Sequence, residues 1–398
     1  MNRGMHAIES GNFAAATGVK LARVQVIAAY PITPQTPLTE KLSEYVASGE
    51  LDSQYIPVES EHSALSVCIA AVSTGARAFT ATSSNGLLYM SEQVHWASGA
   101  RLPIVMCVVN RGIGAPWTVW NDQQDSMSQR DNGWIQLYAN DHQQIIDTVI
   151  KAFHLAQNVS IPVMVCYDGY LLSHSYMPFD IPGQEKVDEF LPAFSTHYYL
   201  HPDNPANLNS VTMPDLRLDV RGNTAPAYME IRNALQKDLR GSIEVLQEID
   251  KKYKDIIGRG GCPITEEYLC EDASYIAVSI GSLSYHLRDV VDTLRGEGIK
   301  VGVLSLHLYR PFPDKAIVGA LKNAERILVF EKALSYGNVG PLYGDIKSAL
   351  YDFKERPVIQ SFILGIGGRE IKTRDLYEAL KEACTTSSQR PANRFGWD

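Results

Sequence analysis

Three side chains in the first third of the chain have types and positions that suit chemistry on a small acid. Glu61 lies in "VESEHSALSVCIAA" and could transfer a proton if burial raised its pKa. Arg111 follows the apolar stretch "IVMCVVN", and its planar fork of donors suits a carboxylate. Thr33 lies in "AAYPITPQTPLTEKL" and offers a hydroxyl group. We take these three residues as candidates for binding a carboxylate and moving a proton.

Two of these residues also have a simpler explanation, which the sequence leaves open. An acid at the start of an apolar helix is stabilised by unpaired main-chain amides, so Glu61 could be a capping residue. Arg111 could be a surface arginine in an ion pair with Asp122 or Asp125.

The residues around Thr33 form a stiff connection between a strand and a helix. Tyr30 and Thr33 each precede a proline, which disfavours helical backbone and favours an extended one. The hydroxyl group of Thr33 therefore has a restricted direction. A proline-rich turn without any further role would have the same sequence.

The elements that must position these residues alternate between strands and helices from residue 20 to 170. The strand candidates are apolar on both faces, which is typical of parallel strands covered by helices on each side. They are "ARVQVIAAY", "ARAFTATSS", "LPIVMCVVN", "WIQLYA" and "IPVMVCYDG".

Three helices are predicted between these strands. The first has Thr36 as its cap and ends at Gly49. The second, "SALSVCIAAVSTGA", is apolar nearly all round and should be buried, ending at Gly75. The third runs from about Gly86 to Ser98.

The composition and periodicity of the sequence change near residue 180. A segment rich in Pro, Asp and Asn is followed by a periodic helix of about thirty residues, "YMEIRNALQKDLRGSIEVLQEIDKKYKDIIG", and then by renewed α/β alternation. The predicted fold class is α/β with two doubly wound domains. We expect the first domain over 1–180, an extended linker with a long helix over 181–260, and the second domain over 261–398.

Composition excludes several classes of function. The net charge is −9 and no cluster of Lys and Arg occurs, which argues against a nucleic-acid partner. No apolar stretch approaches the length of a membrane span, and the N-terminus lacks the apolar core of a signal peptide, so we expect a cytoplasmic protein. The six cysteines are scattered, so no iron–sulfur cluster is expected in this chain; Cys68, Cys107 and Cys166 lie in apolar runs and should be buried.

Glycine-rich turns give only weak signals. "SIGSLSYH" lacks the spacing of a dinucleotide-binding turn, and "GNVGPLYGD" lacks the GK[ST] of a phosphate-binding loop. We expect these to be structural turns. In open parallel sheets ligands bind at the carboxyl ends of strands, where "YPITPQTP", "ESEHSA", "SSNG" and "NRGIGAPWTVWNDQQDSMSQRDNGW" should lie.

Seven segments taken in order resemble the α subunit of pyruvate:ferredoxin oxidoreductase and its relatives among the 2-oxoacid:acceptor oxidoreductases. The resemblance covers nearly the whole chain. The segments are "AYPITPQTPLTE", "VESEHSALSVCIAA", "TSSNGLLYM", "LPIVMCVVNRGIGAP", "DNGWIQLYA", "LYRPFP" and "GIGGRE".

This resemblance implies a thiamine diphosphate pyrimidine-binding domain followed by a transketolase C-terminal-like domain. It implies that Glu61 contacts the pyrimidine ring of the cofactor and that Thr33 and Arg111 hold the substrate's carboxylate and neighbouring oxygen. Tyr30, Pro31 and Ser84 would line the cofactor. The implied reaction is oxidative decarboxylation of a 2-oxoacid, pyruvate first, with coenzyme A taking the acyl group.

The resemblance also implies partner chains. The "GDG" and later asparagine that bind diphosphate and Mg²⁺ in such enzymes are absent from this chain. We therefore expect no metal ligands here, a β subunit that supplies the metal and diphosphate site, and a γ subunit. Iron–sulfur clusters are expected only on partner chains, including a ferredoxin-like subunit.

Three alternatives remain at this point. Trp117 and Trp120 could frame an aromatic 2-oxoacid such as phenylglyoxylate, with NAD as final acceptor. The chain could be a non-catalytic scaffold that kept the fold. It could also belong to a transketolase-like enzyme without electron transfer.

Overall fold

The computed structural model describes most of the chain, in six ranges. These are 5–196, 217–218, 224–225, 227–353, 356–386 and 393–396.

Strands and helices alternate along nearly all of the described chain. In chain order the strands are β1 (Met5–Ser10), β2 (Val26–Ala29), β3 (Gln54–Pro57), β4 (Ala78–Thr82), β5 (Val105–Asn110), β6 (Ile135–Tyr138), β7 (Val163–Asp168), β8 (Tyr176–Ile181), β9 (Arg217–Leu218), β10 (Thr224–Ala225), β11 (Thr265–Tyr268), β12 (Tyr275–Ile280), β13 (Val301–Leu306), β14 (Leu308–Arg310), β15 (Arg326–Glu331), β16 (Val358–Ile363) and β17 (Arg394–Phe395). The helices are α1 (Gly11–Leu21), α2 (Thr36–Ala47), α3 (Glu61–Ser73), α4 (Ser84–Tyr89), α5 (Ser91–Gly99), α6 (Gln124–Ser128), α7 (His142–Val159), α8 (Gln184–Phe190), α9 (Tyr228–Ile257), α10 (Leu283–Gly296), α11 (Asp314–Leu321), α12 (Pro341–Ala349) and α13 (Thr373–Thr385).

The first sheet has seven strands in the order β14-β6-β7-β5-β4-β2-β3, all parallel except β14. Its central strands β4, β5 and β7 are buried along their whole length. Apolar residues on both faces suit strands covered by helices on each side. Because β5 and β7 pair in parallel, their last residues Asn110 and Asp168 lie side by side at the carboxyl edge.

The second sheet has six strands in the order β11-β13-β12-β15-β16-β17, all parallel except β11. Both sheets agree with the predicted α/β class. The predicted boundaries near residues 180 and 260 stay predictions, and residues 197–216, 219–223 and 226 of the predicted linker lie outside the described ranges.

Strand β14 connects the two halves of the chain. It follows β13 of the second sheet but pairs antiparallel with β6 at the edge of the first sheet, with Leu308 opposite Leu137. This pairing also covers an edge that would otherwise expose main-chain groups.

A buried ion pair crosses between the carboxyl ends of the two sheets. Lys332, directly after β15, lies with its ammonium nitrogen 3.2 Å from Oδ2 of Asp168 at the end of β7. Both side chains are almost completely buried. The main-chain N–H and the hydroxyl group of Ser282 donate to the same oxygen. The two sheets are therefore held at fixed positions relative to each other.

The long helix α9 follows its predicted periodicity closely. Its buried side chains recur on one face, and the hydroxyl group of Tyr253 donates to Asp147 of α7 over 2.6 Å. Lys151 of α7 pairs with Asp250 at 2.7 Å. No helix in the described part of the chain is long and apolar enough to cross a bilayer. Cys68, Cys107 and Cys166 are buried as predicted.

Several local predictions were wrong. The helix expected from Gly86 to Ser98 is two helices, α4 and α5, which meet at Met90. The residue before α2 is Gln35, so Thr36 is its first helical residue and not its cap.

Several short strands were not predicted, among them β1, β3 and β8. The ribbon of β1 and β8 is stabilised by pairing between segments about 170 residues apart, and β3 pairs only with β2 at the edge of the first sheet. Such short strands depend on a distant partner for their stability, so local pattern signals them weakly.

We expect Asp168→Asn to lower the free energy of unfolding by about 3–5 kcal/mol, because it leaves the buried ammonium of Lys332 without its counter-charge. The midpoint of urea unfolding would measure this. The matched control is Asp188→Asn, which breaks the exposed ion pair with Arg23 and should cost about 1 kcal/mol or less. Equal shifts for the two variants would show that the buried pair does not hold the sheets together.

Candidate functional site

The connection between β2 and α2 is held in place by hydrogen bonds from two buried side chains. Gln35 is fully buried, and its amide group donates to the carbonyl oxygens of Tyr30 at 3.2 Å and Ala81 at 2.7 Å. Asn12 of α1 donates to the carbonyl oxygen of Pro34 at 2.9 Å. The elbow formed by residues 30–35, which carries Thr33, is thus attached to both β4 and α1.

The guanidinium group of Arg111 is hydrogen-bonded to this elbow. Its Nη1 donates to the carbonyl oxygen of Thr33 at 2.9 Å, and its Nε donates to that of Thr118 at 2.7 Å. The alternative of an ion pair with Asp122 or Asp125 is wrong for the guanidinium group, which bonds only to carbonyls among the described residues. Its Nη2 donates to no described residue and is available to another acceptor.

Asp125 organises the loops around Arg111. It is completely buried, and its two oxygens accept hydrogen bonds from the main-chain N–H of Ser84 (2.9 Å), Arg111 (2.9 Å) and Ser126 (2.8 Å) and from the side chain of Asn110 (2.7 Å). One carboxylate therefore sets the positions of the residues after β4 and after β5. The sequence indicated Asp125 only as a possible ion-pair partner, because its contacts with residues that follow β4 and with the end of β5 are not visible in a linear pattern.

Burial raises the pKa of Asp125 to about 7. The hydrogen bonds from Asn110, Ser84 and Arg111 act in the opposite direction, and the nearby charge of Asp122 adds to the increase. The four donors thus compensate only part of the lost hydration.

Ser84 begins α4 with an unusual backbone. Its φ of +49° is in the left-handed region, which costs free energy for a residue with a side chain. The contact of its N–H with Asp125 and a 2.6 Å hydrogen bond from its hydroxyl group to the carbonyl of Gly112 hold it there. The turn "SSNG" is therefore strained and fixed.

Glu61 is the first residue of α3, but Ser60 is the cap, because its hydroxyl oxygen accepts from the N–H of Ser63. The Glu61 side chain is 8% exposed, and its carboxylate has no hydrogen-bond or ion-pair partner among the described residues. It lies against Gly86 so closely that a Cβ there would be 2.6 Å from Glu61 Oε1 and 2.7 Å from Thr82 Oγ1. Within the described ranges, the buried hydroxyl group of Thr82 also lacks a hydrogen-bond partner.

These orphaned oxygens suit an external donor. A nearly buried carboxylate without a protein partner is costly unless a bound group supplies hydrogen bonds. The absence of a side chain at Gly86 makes room for the carboxylate of Glu61 itself. The residues at this point therefore fit a ring with hydrogen-bonding nitrogens, such as a pyrimidine.

Direct contacts link the predicted site residues. Thr33 contacts Arg111, and Asp125 joins Arg111 to Ser84. Glu61 lies on the other side of the turn that Ser84 begins, against Gly86. Tyr30 and Pro31 lie on the same elbow, where Pro31 is exposed. The assigned roles of these residues remain predictions.

The long loop after Arg111 is attached to the second sheet. The N–H of Gly367 donates to Asp122 at 2.9 Å, and the N–H of Gln123 donates to the carbonyl oxygen of Lys332 at 2.9 Å. Gly367 lies in the "GIGGRE" segment. The second half of the chain thus supports the loop that carries Arg111.

The turn "SIGSLSYH" has a structural role. Gly281 has a φ of +73°, and a Cβ on it would lie 2.8 Å from the side chain of Gln123. Close packing between the two sheets accounts for this glycine without a nucleotide.

Comparison with known families agrees with this architecture. Residues 17–238 match the family model described as "Pyruvate flavodoxin/ferredoxin oxidoreductase, thiamine diP-bdg", and residues 273–376 match "Pyruvate:ferredoxin oxidoreductase core domain II". The chain belongs to the family of 2-oxoacid:ferredoxin oxidoreductase α subunits.

Two groups of relatives are equally similar. The ketoisovalerate oxidoreductase subunit VorA of Pyrococcus horikoshii is 42% identical over 370 residues, covering 93% of this chain and 91% of the relative. The pyruvate synthase subunit PorA of Methanothermobacter thermautotrophicus is 42% identical over 390 residues, covering 98% and 96%.

Solved structures confirm the fold class. A 2-oxoglutarate:ferredoxin oxidoreductase from Magnetococcus marinus, solved with 2-oxoglutarate, coenzyme A and succinyl-CoA bound, superposes with a TM-score of 0.70 at 19% identity over 96% of this chain. The chain spans 65% of that protein's length. An inactive β4 tetramer of a split-gene transketolase gives a TM-score of 0.54 at 13% identity, covering 94% and 98%. The predicted pairing of a thiamine diphosphate domain with a transketolase-like domain is confirmed as a fold.

We expect Asp125→Asn to lower the kcat/KM of the assembled complex by about 100-fold, because an amide NH₂ would face main-chain donors and displace the Arg111 loop. Viologen-dye reduction with a 2-oxoacid would measure this. The matched control is Asp131→Asn, an exposed acid nearby in the chain, which should leave kcat/KM unchanged.

The same variant tests the raised pKa. Because the folded pKa of about 7 lies above the unfolded value of about 4, the contribution of Asp125 to stability is complete below pH 4 and is lost as the pH rises through 7. The free energy of unfolding of the wild type relative to Asp125→Asn should therefore fall between pH 4 and 7. A difference that does not change with pH would contradict the assignment.

Proposed function

We propose that this chain holds the pyrimidine half of thiamine diphosphate and the 2-oxoacid substrate in a complex that decarboxylates the acid oxidatively to acyl-CoA and CO₂. The supporting observation is the Arg111 guanidinium group, fixed by the carbonyls of Thr33 and Thr118 with Nη2 left for an acceptor. The main-chain N–H groups of Arg111 and of Ser84, which begins the turn facing Glu61, both donate to the buried carboxylate of Asp125.

Glu61 would hold a proton at the ring side of this site. Its carboxylate can accept a hydrogen bond from a ring nitrogen, and its low exposure of 8% limits exchange of the proton with solvent. Thiamine diphosphate held by these residues would supply the chemistry for decarboxylation of the 2-oxoacid. Ser84, Tyr30 and Pro31 would line the cofactor from the strained turn and the elbow.

Arg111 and the hydroxyl group of Thr33 would orient the substrate's carboxylate and neighbouring oxygen. Because Arg111 is already held at two of its nitrogens, little of its conformational freedom is left to lose when an acid binds. A rigid cation near the elbow suits a small monocarboxylic 2-oxoacid. Pyruvate is the first candidate, as the resemblance implies, and the branched acid ketoisovalerate is added because a VorA relative is as similar to this chain as a PorA relative.

The two tryptophans of the loop give little support to an aromatic substrate. The Trp117 ring packs on its own loop, since a Cβ on Gly114 would lie 2.5 Å from it. The ring of Trp120 lies 4.8 Å from that of Tyr170 and covers Gly368. Both indoles thus have structural partners, which favours a role in shaping the loop.

The remaining functions would come from partner chains. We propose that a β subunit supplies the diphosphate and Mg²⁺ site, because this chain has no "GDG". Iron–sulfur clusters on a ferredoxin-like subunit would take the two electrons, and a γ subunit would complete the complex. The unpartnered Glu61 argues against a scaffold that has lost its chemistry.

We expect Glu61→Gln to reduce turnover by about 10²–10⁴-fold, because glutamine cannot hold a transferable proton. The measurement is CO₂ release by the assembled complex at saturating thiamine diphosphate. Glu59→Gln, an exposed acid two residues earlier, is the matched control and should retain activity. Unchanged decarboxylation in Glu61→Gln would favour the scaffold.

Arg111→Lys should raise the KM for the 2-oxoacid by about 10–100-fold with a smaller effect on kcat, since an ammonium lacks the planar fork. The wild type and variant would be assayed on pyruvate, ketoisovalerate and phenylglyoxylate, with and without coenzyme A, using a viologen acceptor. Arg130→Lys is the control, because Arg130 bonds to Met127 and not to the elbow. Activity on phenylglyoxylate alone, or without dye reduction, would contradict the proposal.

A further inference from the structure

The ribbon of β1 and β8 has one edge that is closed by the protein itself. The main-chain N–H of Asp180 in β8 donates to the side chain of Gln143 at 2.7 Å. The carbonyl oxygen of Asp180 accepts from the side chains of Gln143 and Arg259, both at 3.1 Å. Pro178, on the same edge, has no N–H to offer. The outer edge of β8 therefore has few main-chain groups left for another strand.

The other edge of the ribbon, along β1, is open. His6 lies opposite Asp180 in the antiparallel ladder. Residues that lie opposite each other in such a ladder turn their main-chain groups either toward each other or away, and those of Asp180 point away from β1. The N–H and C=O groups of His6 therefore point away from β8, and so do those of Ile8. These groups have no hydrogen-bond partner within the described ranges, and both residues are exposed.

The open edge lacks the usual protection against pairing. Exposed strand edges commonly carry proline, lysine or a bulge, because their unpaired main-chain groups can bind another strand. The sequence of β1 is "MHAIES", without proline or lysine, and its ladder with β8 has no shift in register. Met5 and Ile8 are 63% and 64% exposed. Such an edge is typical of a surface that pairs with another chain.

A second copy of β1 fits this edge. A twofold axis through Ala7 pairs the strand with itself in the antiparallel direction. His6 then lies opposite Ile8 of the second copy, and their outward-pointing N–H and C=O groups become hydrogen-bond partners. Met5 lies opposite Glu9 of the second copy. Ala7, the smallest side chain of the strand, lies on the axis, where the two strands approach most closely.

The charges of the ribbon are compatible with this pairing. His6 has an acid partner in its own chain, since its Nδ1 is 2.9 Å from Oδ1 of Asp180. Each titratable side chain of β1 faces an apolar one of the second copy, so no two like charges lie opposite each other. The two exposed Ile8 side chains become diagonal neighbours on one face of the sheet. The strand therefore complements itself in both charge and apolar contact.

We propose that β1 pairs antiparallel with β1 of a second copy of this chain. The pairing joins the two ribbons into one continuous sheet with the strand order β8-β1-β1-β8. An isolated ribbon of two strands has little stability of its own, and the added strands increase it. This interface does not depend on the proposed reaction, because none of its residues belongs to the proposed site.

The paired strand leads directly to a contact of the elbow. Asn12, which follows β1 closely, donates to the carbonyl oxygen of Pro34 at 2.9 Å and accepts from the hydroxyl group of Tyr167 at 2.8 Å. A second copy bound to β1 would thus stabilise the segment from which Asn12 extends.

Sedimentation velocity of the full-length chain over a range of concentrations tests this interface without turnover. We expect a dimer that dissociates on dilution. Ile8→Pro removes an N–H that points to the second copy and none that points to β8, so it should raise the dimer Kd by about 10–100-fold. Ile8→Val keeps this N–H and is the matched control, which should dimerise like the wild type.

Disulfide cross-linking tests the register. In a pair without main-chain hydrogen bonds, such as Ala7 with Ala7 of the second copy, the Cα atoms are about 4.5 Å apart. Ala7→Cys should therefore give a disulfide-linked dimer under mild oxidation, which dithiothreitol reverses. Glu9→Cys is the matched control, because the two substituted positions would be about 13 Å apart. The wild type gives the background from its exposed Cys262.

Three results would overturn the inference. A chain that stays monomeric at all concentrations would leave the edge of β1 to solvent or to a different protein. A dimer that Ile8→Pro does not weaken would have its interface elsewhere. Equal cross-linking of Ala7→Cys and Glu9→Cys would exclude pairing about Ala7. A circular dichroism spectrum of Ile8→Pro identical to that of the wild type ensures that loss of the dimer does not reflect unfolding.

Discussion

The site depends on one carboxylate that has been removed from water and surrounded by donors. Asp125 receives hydrogen bonds from four groups that belong to the ends of β4 and β5 and to α6. Each bond fixes a main-chain position, and the raised pKa shows what this arrangement costs. Without this carboxylate, the strained Ser84 would keep only its hydrogen bond to Gly112, and the main chain at Arg111 would lose its buried acceptor.

The second half of the chain acts as a support for the first. The buried pair of Lys332 and Asp168, the contacts of Gly367 and Gln123, and the pairing of β14 with β6 all cross between the two sheets. They meet at the carboxyl ends of the strands, where the loops are longest. A transketolase-like domain that holds no proposed reacting group can thus still determine the geometry of the substrate loop.

The sequence predicted the sheets well because their signals are local. Runs such as "VMCVVN" and "VMVCYD" are apolar on both faces, and the 30-residue α9 repeats its buried face over many turns. Predictions failed where stability comes from a distant partner. The ribbon of β1 and β8 and the edge strand β3 depend on such pairing, and the break at Met90 has no Gly or Pro to mark it.

The candidate site likewise has features that the sequence predicted and features that only the structure showed. Residue types and proline spacing were enough to single out Thr33, Glu61 and Arg111, since an acid, a guanidinium group and a stiff elbow are properties of short segments. Which groups these side chains contact was decided only in three dimensions. The Arg111 guanidinium group bonds to carbonyls and not to an acid, and Glu61 has no partner among the described residues. Asp125 joins α6 to the residues that follow β4 and to the end of β5. Burial and hydrogen bonding depend on parts of the chain that only folding brings together.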